Sequence, residues 1–182
     1  MHFADLTLCR YHNGPFDANN WAVPLRAVGW LEDPHPFPTG RVPSALISRL
    51  QTLLEQTKAE YRQFGFRGVH DCSLCSSGLR KSPAEPGWSQ ENLFVPGFDA
   101  VFVAPGGILH YIEEHAYLPP SEFLDALERC PDVASVEYRQ ALQRANAGAQ
   151  PPLDETWTES LARSRALAEE IAATRRLRRS DE

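Results

Sequence analysis

An α+β fold is what this chain predicts, and three stretches predict it. A long amphipathic run over 44–64 has helical spacing, two apolar runs between 92 and 105 flank a Pro-Gly turn, and short capped helical patterns follow residue 106. The expected architecture is a small antiparallel sheet, made of a hairpin near 92–104 and a strand near 25–31. It packs with the long helix 44–64 and short helices, and a further helix lies at the C-terminus.

In chain order, the first forty residues read as extended and loop-rich. "PLRAVGWLE" (24–32) predicts a strand, with Leu25, Ala27 and Leu31 alternating against Arg26, Val28 and Trp30. It runs into "DPHPFPTGRVP", whose prolines forbid regular structure. Ser44 then reads as the N-cap of the long helix. Leu46, Ile47, Leu50, Leu53, Leu54, Thr57, Tyr61 and Phe64 share one face, and Gly65 ends it. That stripe is core.

"LRKSPAEPGWSQ" (79–90) is a polar surface loop, and "NLFVPGFDAVFVAP" (92–105) is the hairpin. "GGILHYIEEHAYLPP" (106–120) predicts a short helix stopped before Pro119. "SEFLDALERC" predicts a second helix capped by Ser121, and "DVASVEYRQALQRA" a third capped by Asp132. The domain reading is a body over 1–145, a linker over 146–153 and a charged C-terminal helix over 154–182. Trp157, Leu161, Ala168 and Ile171, with Leu167 beside them, form the narrow apolar stripe of that helix.

The 182 residues suit one domain with a real core, and 42% hydrophobic with 23% charged residues is ordinary for a soluble protein. A formal net charge of −6 argues against general binding to a phosphate backbone, which needs a basic surface. The N-terminus carries no secretory pattern and no apolar run reaches membrane-spanning length, so a cytoplasmic location is expected. In a reducing compartment a close pair of cysteines is better suited to metal or redox chemistry than to a structural disulfide.

Such a pair stands in "GVHDCSLCSSG" (68–78). Cys72 and Cys75 can offer two thiolates to one ion from a tight turn, and a tetrahedral zinc site then needs two more ligands. "HYIEEH" supplies them as His110 and His115. Five residues on an ideal helix turn through roughly 140°, so the two imidazoles converge only if the last turn tightens or unwinds. His70 is the main rival for a ligand position, or an orienting neighbour of the knuckle, and His35 is a weaker rival. His2 and His12 carry no functional expectation.

Neighbouring chemistries fit less well. A thioredoxin-like pair opens a helix after a strand, whereas Ser-Ser-Gly follows here. Zinc peptidases space their histidines one helical turn apart, and "HYIEEH" is one residue too long. A zinc deaminase would need H-x-E ahead of P-C-x-x-C, and the order is wrong. Glu113 and Glu114 therefore read as solvated helix carboxylates. Two thiolates also make the ion a poor Lewis acid, and four protein ligands leave no place for water.

"AVGWLEDPHPFPTGRVP", "FGFRGVHDCSLC", "LFVPGFDAVFVAP" and "ILHYIEEHAYLPPSEFLDAL" together resemble an uncharacterised family of small bacterial cytosolic proteins. Its pattern is GxHxCxxC, then VPGxDxV, then HYIxxHxYxPP, and the resemblance covers residues 21–130 approximately. It implies that His70, Cys72, Cys75, His110 and His115 belong together, and it implies no activity.

The functional expectation is a zinc protein with a structural metal on Cys72, Cys75, His110 and His115, acting as a binding module for a protein or small-molecule partner. Trp30, Phe37, Tyr111 and Tyr117 are candidate contacts, with packing inside the body as the competing reading. The alternative is a metal-dependent hydrolase with three protein ligands and Glu113 or Glu114 as general base. Nucleic-acid binding through the knuckle or through "TRRLRR" (174–179) is weaker, because the tail basic run suits a helix C-terminus. No catalytic residue is assigned, no membrane association is expected, and the C-terminal helix either packs on the body or pairs with another chain.

Overall fold

The computed structural model describes residues 2–14, 23–66, 72–75 and 90–145. The expected linker and C-terminal helix, the basic run 174–179, His70 and most of the loop 79–90 lie outside the described residues.

The elements run β1 (Leu25–Ala27), α1 (Ser44–Glu60), β2 (Asn92–Pro96), β3 (Val101–Pro105), α2 (Ile108–His115), α3 (Ser121–Arg129) and α4 (Val136–Ala145). The α+β class is as expected. The three strands lie in the order β1-β3-β2, with β2 and β3 antiparallel and β1 parallel to β3, so the sheet is mixed. Antiparallel pairing of β2 and β3 follows from the tight turn between them, where the Gly97 amide donates to the Ala100 carbonyl at 2.8 Å. β1 comes from far upstream and can join in either sense. The expected strand 24–32 shortens to three residues because Gly29 turns the chain at φ 74°, a conformation open to glycine.

Helix α1 forms for the reason its spacing suggests. Leu50, Leu53, Leu54 and Thr57 are buried along one face, and Tyr61 follows just beyond the end. Thr57 satisfies its buried hydroxyl by donating to the Leu53 carbonyl at 2.8 Å. The start differs from the sequence reading. Pro43 is the cap and Ser44 the first helical residue, with no side-chain capping bond. α3 begins in the same way, after Pro120, and the Ser121 hydroxyl bonds Glu122 instead. Proline fixes φ and lacks the amide that would be orphaned at a helix start, so it serves there without a capping hydroxyl. Asp132 is likewise no cap. It pairs with Arg49 at 2.6 Å, and Ser135 accepts the Tyr138 amide at 3.0 Å at the start of α4.

α1, α3 and α4 all pack on β2, and β3 is buried along Val101–Ala104. Two polar groups are brought into this core with their bonds made. The Tyr138 hydroxyl donates to the Phe94 carbonyl at 2.5 Å, and the Trp30 indole donates to the Val103 carbonyl at 2.9 Å. Arg49 of α1 bonds the Cys130 carbonyl as well as Asp132, which fastens the α3–α4 connection to the long helix. β3 then feeds directly through Gly106 and Gly107 into α2, which places that helix at the exit of the central strand.

Candidate metal centre

α2 is short, and its first five residues, Ile108, Leu109, His110, Tyr111 and Ile112, are all buried, so its first turn is enclosed on every side. Its last turn is not a regular α turn. The amides of both Ala116 and Tyr117 donate to the Tyr111 carbonyl, five and six residues back, the second at 3.0 Å. A turn closed from i to i−5 takes in one residue more than an α turn and is wider. Residues five apart are thereby brought closer to one face, and the His110 and His115 rings stand 5.0 Å apart. This is the unwinding that the five-residue spacing requires. It is closed by Ala116, which adopts the left-handed conformation at φ 53°.

The four sequence candidates meet at this point. Cys72, Cys75, His110 and His115 each direct a ligand atom into one cluster, all within 4.8 Å of one another. His115 Nε2 lies 3.3 Å from the Cys72 sulfur and 3.5 Å from that of Cys75, and His110 Nε2 lies 3.4 Å from the Cys75 sulfur. For a tetrahedral ion with S and N bonds of about 2.3 and 2.0–2.1 Å, the S···N edge is about 3.6 Å. Three S···N spacings approach that edge, and the four residues could hold a metal ion. One imidazole nitrogen placed against two sulfurs is also better suited to a shared central cation than to a single directed N–H.

The electrostatics agree. Cys72 and His110 are buried, while Cys75 and His115 are partly open. Burial pushes the Cys72 thiol up and the neighbouring Cys75 thiol adds to this, while backbone bonds from Leu74 and Cys75 pull it down. A pair of thiols in this setting gains most from a divalent cation. Two thiolates neutralise its charge, and the neutral assembly is cheap to bury. Tyr111 borders the site. Burial raises its phenol, and the Cys72 and Cys75 sulfurs raise it further. The other two cysteines are simple core residues, with burial pushing Cys9 up to about 11 and Cys130 up to about 12.

Other expectations about the site are corrected or completed. His35 is not part of the quartet; its ring stacks on His2 at 3.9 Å. Glu113 and Glu114 are exposed on α2. Of the four candidate contact aromatics, Trp30, Tyr111 and Tyr117 are buried and only Phe37 is half-open, against the Tyr117 ring. Their partially polar rings found bonding partners within the body, as Trp30 shows, and apolar area outweighed any surface role.

The sequence reading missed what fastens the ligands. The Asp33 amide donates to Ser73 Oγ at 3.0 Å, joining the proline-rich loop to the knuckle. The same loop pairs with the chain after His115, through Gly40 to the Ala116 carbonyl and Leu118 to the Pro38 carbonyl, both at 2.9 Å. Asp5 accepts the Tyr117 hydroxyl at 2.8 Å. A serine inside the Cys-x-x-Cys turn was the one available hint, since its hydroxyl can accept a bond from a neighbouring backbone amide.

A family model described as Domain of unknown function (DUF7919) matches residues 1–128. The chain belongs to this family. The DUF7919 match takes in all four members of the quartet and ends within α3. No curated protein and no solved structure matches the chain.

Proposed function

We propose that the protein binds one zinc ion through Cys72, Cys75, His110 and His115, and that the metal is structural and stabilises a cytoplasmic binding module. The observation that carries this reading is the S···N spacing of 3.3–3.5 Å between knuckle and α2. Zinc is favoured over other ions because a tetrahedral set of two thiolates and two imidazoles is its common structural site. Four protein ligands close the shell. A hydrolytic role would need one of them to yield its place to water, with Glu113 or Glu114 turned inward from its exposed position.

For the binding role, the buried aromatics leave the proline-rich stretch 33–41 as the surface of choice. It is exposed apart from half-buried Phe37, and it is bonded to both halves of the site. A protein or small-molecule partner suits the acidic chain better than nucleic acid. The test is metal analysis of the purified protein before and after chelation. The expected result is one zinc per chain, lost on chelation together with part of the folding stability. Metal-free protein that neither takes up zinc nor gains stability from it contradicts the proposal.

A further inference from the structure

Both histidines of the quartet sit on α2, so whatever fixes the two ends of this helix fixes the donor geometry. One side chain bonds a neighbour of each end. Asp5 Oδ1 accepts the Gly29 amide at 2.9 Å, and Asp5 Oδ2 accepts the Tyr117 hydroxyl at 2.8 Å. Gly29 lies against the first residue of α2, so closely that a Cβ there would stand 2.8 Å from Ile108 Cγ1. Tyr117 is fully buried two residues beyond His115, just after the widened turn. The carboxylate therefore ties Gly29, which packs on Ile108, to Tyr117, which follows the helix.

We propose that Asp5 is a positioning residue for the metal centre, holding α2 so that His110 and His115 meet Cys72 and Cys75 in register. The inference rests on the metal-binding reading above. Asp5 does not touch the ion. It acts through Tyr117, whose amide closes the widened turn on the Tyr111 carbonyl at 3.0 Å, between the two histidines. The backbone bonds of Ala116 and Leu118 to the 38–40 strap hold the same segment from another side, and side-chain substitution does not remove them. The carboxylate is the tie that can be cut cleanly. Partners behind metal ligands commonly set affinity by 10–100-fold, because loosened donors must be ordered again on binding.

The experiment measures zinc affinity of the full chain by competition with a chromophoric chelator. Asp5→Ala and Tyr117→Phe are compared with wild type, and Tyr138→Phe serves as a control. Tyr117→Phe keeps the buried ring, and so covers the case in which Asp5→Ala fails to fold. Tyr138→Phe removes the hydroxyl of an equally buried tyrosine, but one bonded in the sheet core. Weakening by about tenfold or more in the Asp5 and Tyr117 variants, with affinity in the control unchanged, supports positioning. Wild-type affinity in Tyr117→Phe and in folded Asp5→Ala overturns it while leaving the zinc site standing. So does equal weakening in Tyr138→Phe, which would mean that affinity merely follows overall stability. Wild-type protein without zinc affinity overturns both this inference and the proposal beneath it.

Discussion

Around Phe94 and Tyr138, three helices close on one strand, and the side chains between them are almost wholly withdrawn from water. Around Cys72 and His115, a four-residue turn and the end of a two-turn helix face each other through sulfur and nitrogen atoms. The first region is held by apolar area, which is non-directional and spread over many residues. The second depends on a few directed bonds and, on the zinc proposal, on one ion. A core tolerates the loss of one contact in proportion to the volume removed. A four-ligand site loses its ion when it loses one thiolate.

The largest expected effect follows from that contrast. Cys72→Ser takes zinc from one per chain to none and costs about 4 kcal/mol in a solution whose free zinc is a thousandfold above Kd, because the ion then stabilises only the folded form. Urea denaturation alongside metal analysis measures both, and retained zinc with unchanged stability would erase the contrast. Phe94→Ala should cost about 3–5 kcal/mol as a core cavity while leaving zinc stoichiometry near one. If this variant also lost its zinc under native conditions, the two regions would be a single cooperative unit.

Gly29→Ala probes the boundary between them. The substitution places a methyl at φ 74° against buried Ile108, and should cost about 2 kcal/mol with some loss of zinc affinity. An unchanged melting temperature would show that the turn relaxes freely. The smallest effect is expected for Ala116→Gly. It relieves a left-handed alanine and should stabilise the metal-free protein by up to about 1 kcal/mol, less the added entropy of the unfolded chain. Clear destabilisation would mean that the methyl has a role of its own.

The same contrast explains what could be read from the sequence. α1 and the β2–β3 hairpin were legible because burial imposes a period on the chain, seen at Leu50, Leu53, Leu54 and Thr57 and in the runs flanking Pro96-Gly97. The quartet was legible for a different reason. Soft thiolates and imidazoles at particular spacings are few, so their types alone narrow the choice. The turn that unites them carries no such mark, because a left-handed residue after a helix is usually glycine and here it is Ala116. The parallel joining of β1, the proline helix starts at Pro43 and Pro120, and the Asp5–Tyr117 bond were also hidden. Each depends on partners distant in the chain, or on backbone geometry that several residues can supply.

The most direct test of the central claim is X-ray absorption at the zinc edge of the purified protein. The quartet predicts two sulfurs at about 2.3 Å and two nitrogens at about 2.0–2.1 Å around a single ion. A shell dominated by oxygen, or containing fewer than two sulfurs, would contradict it.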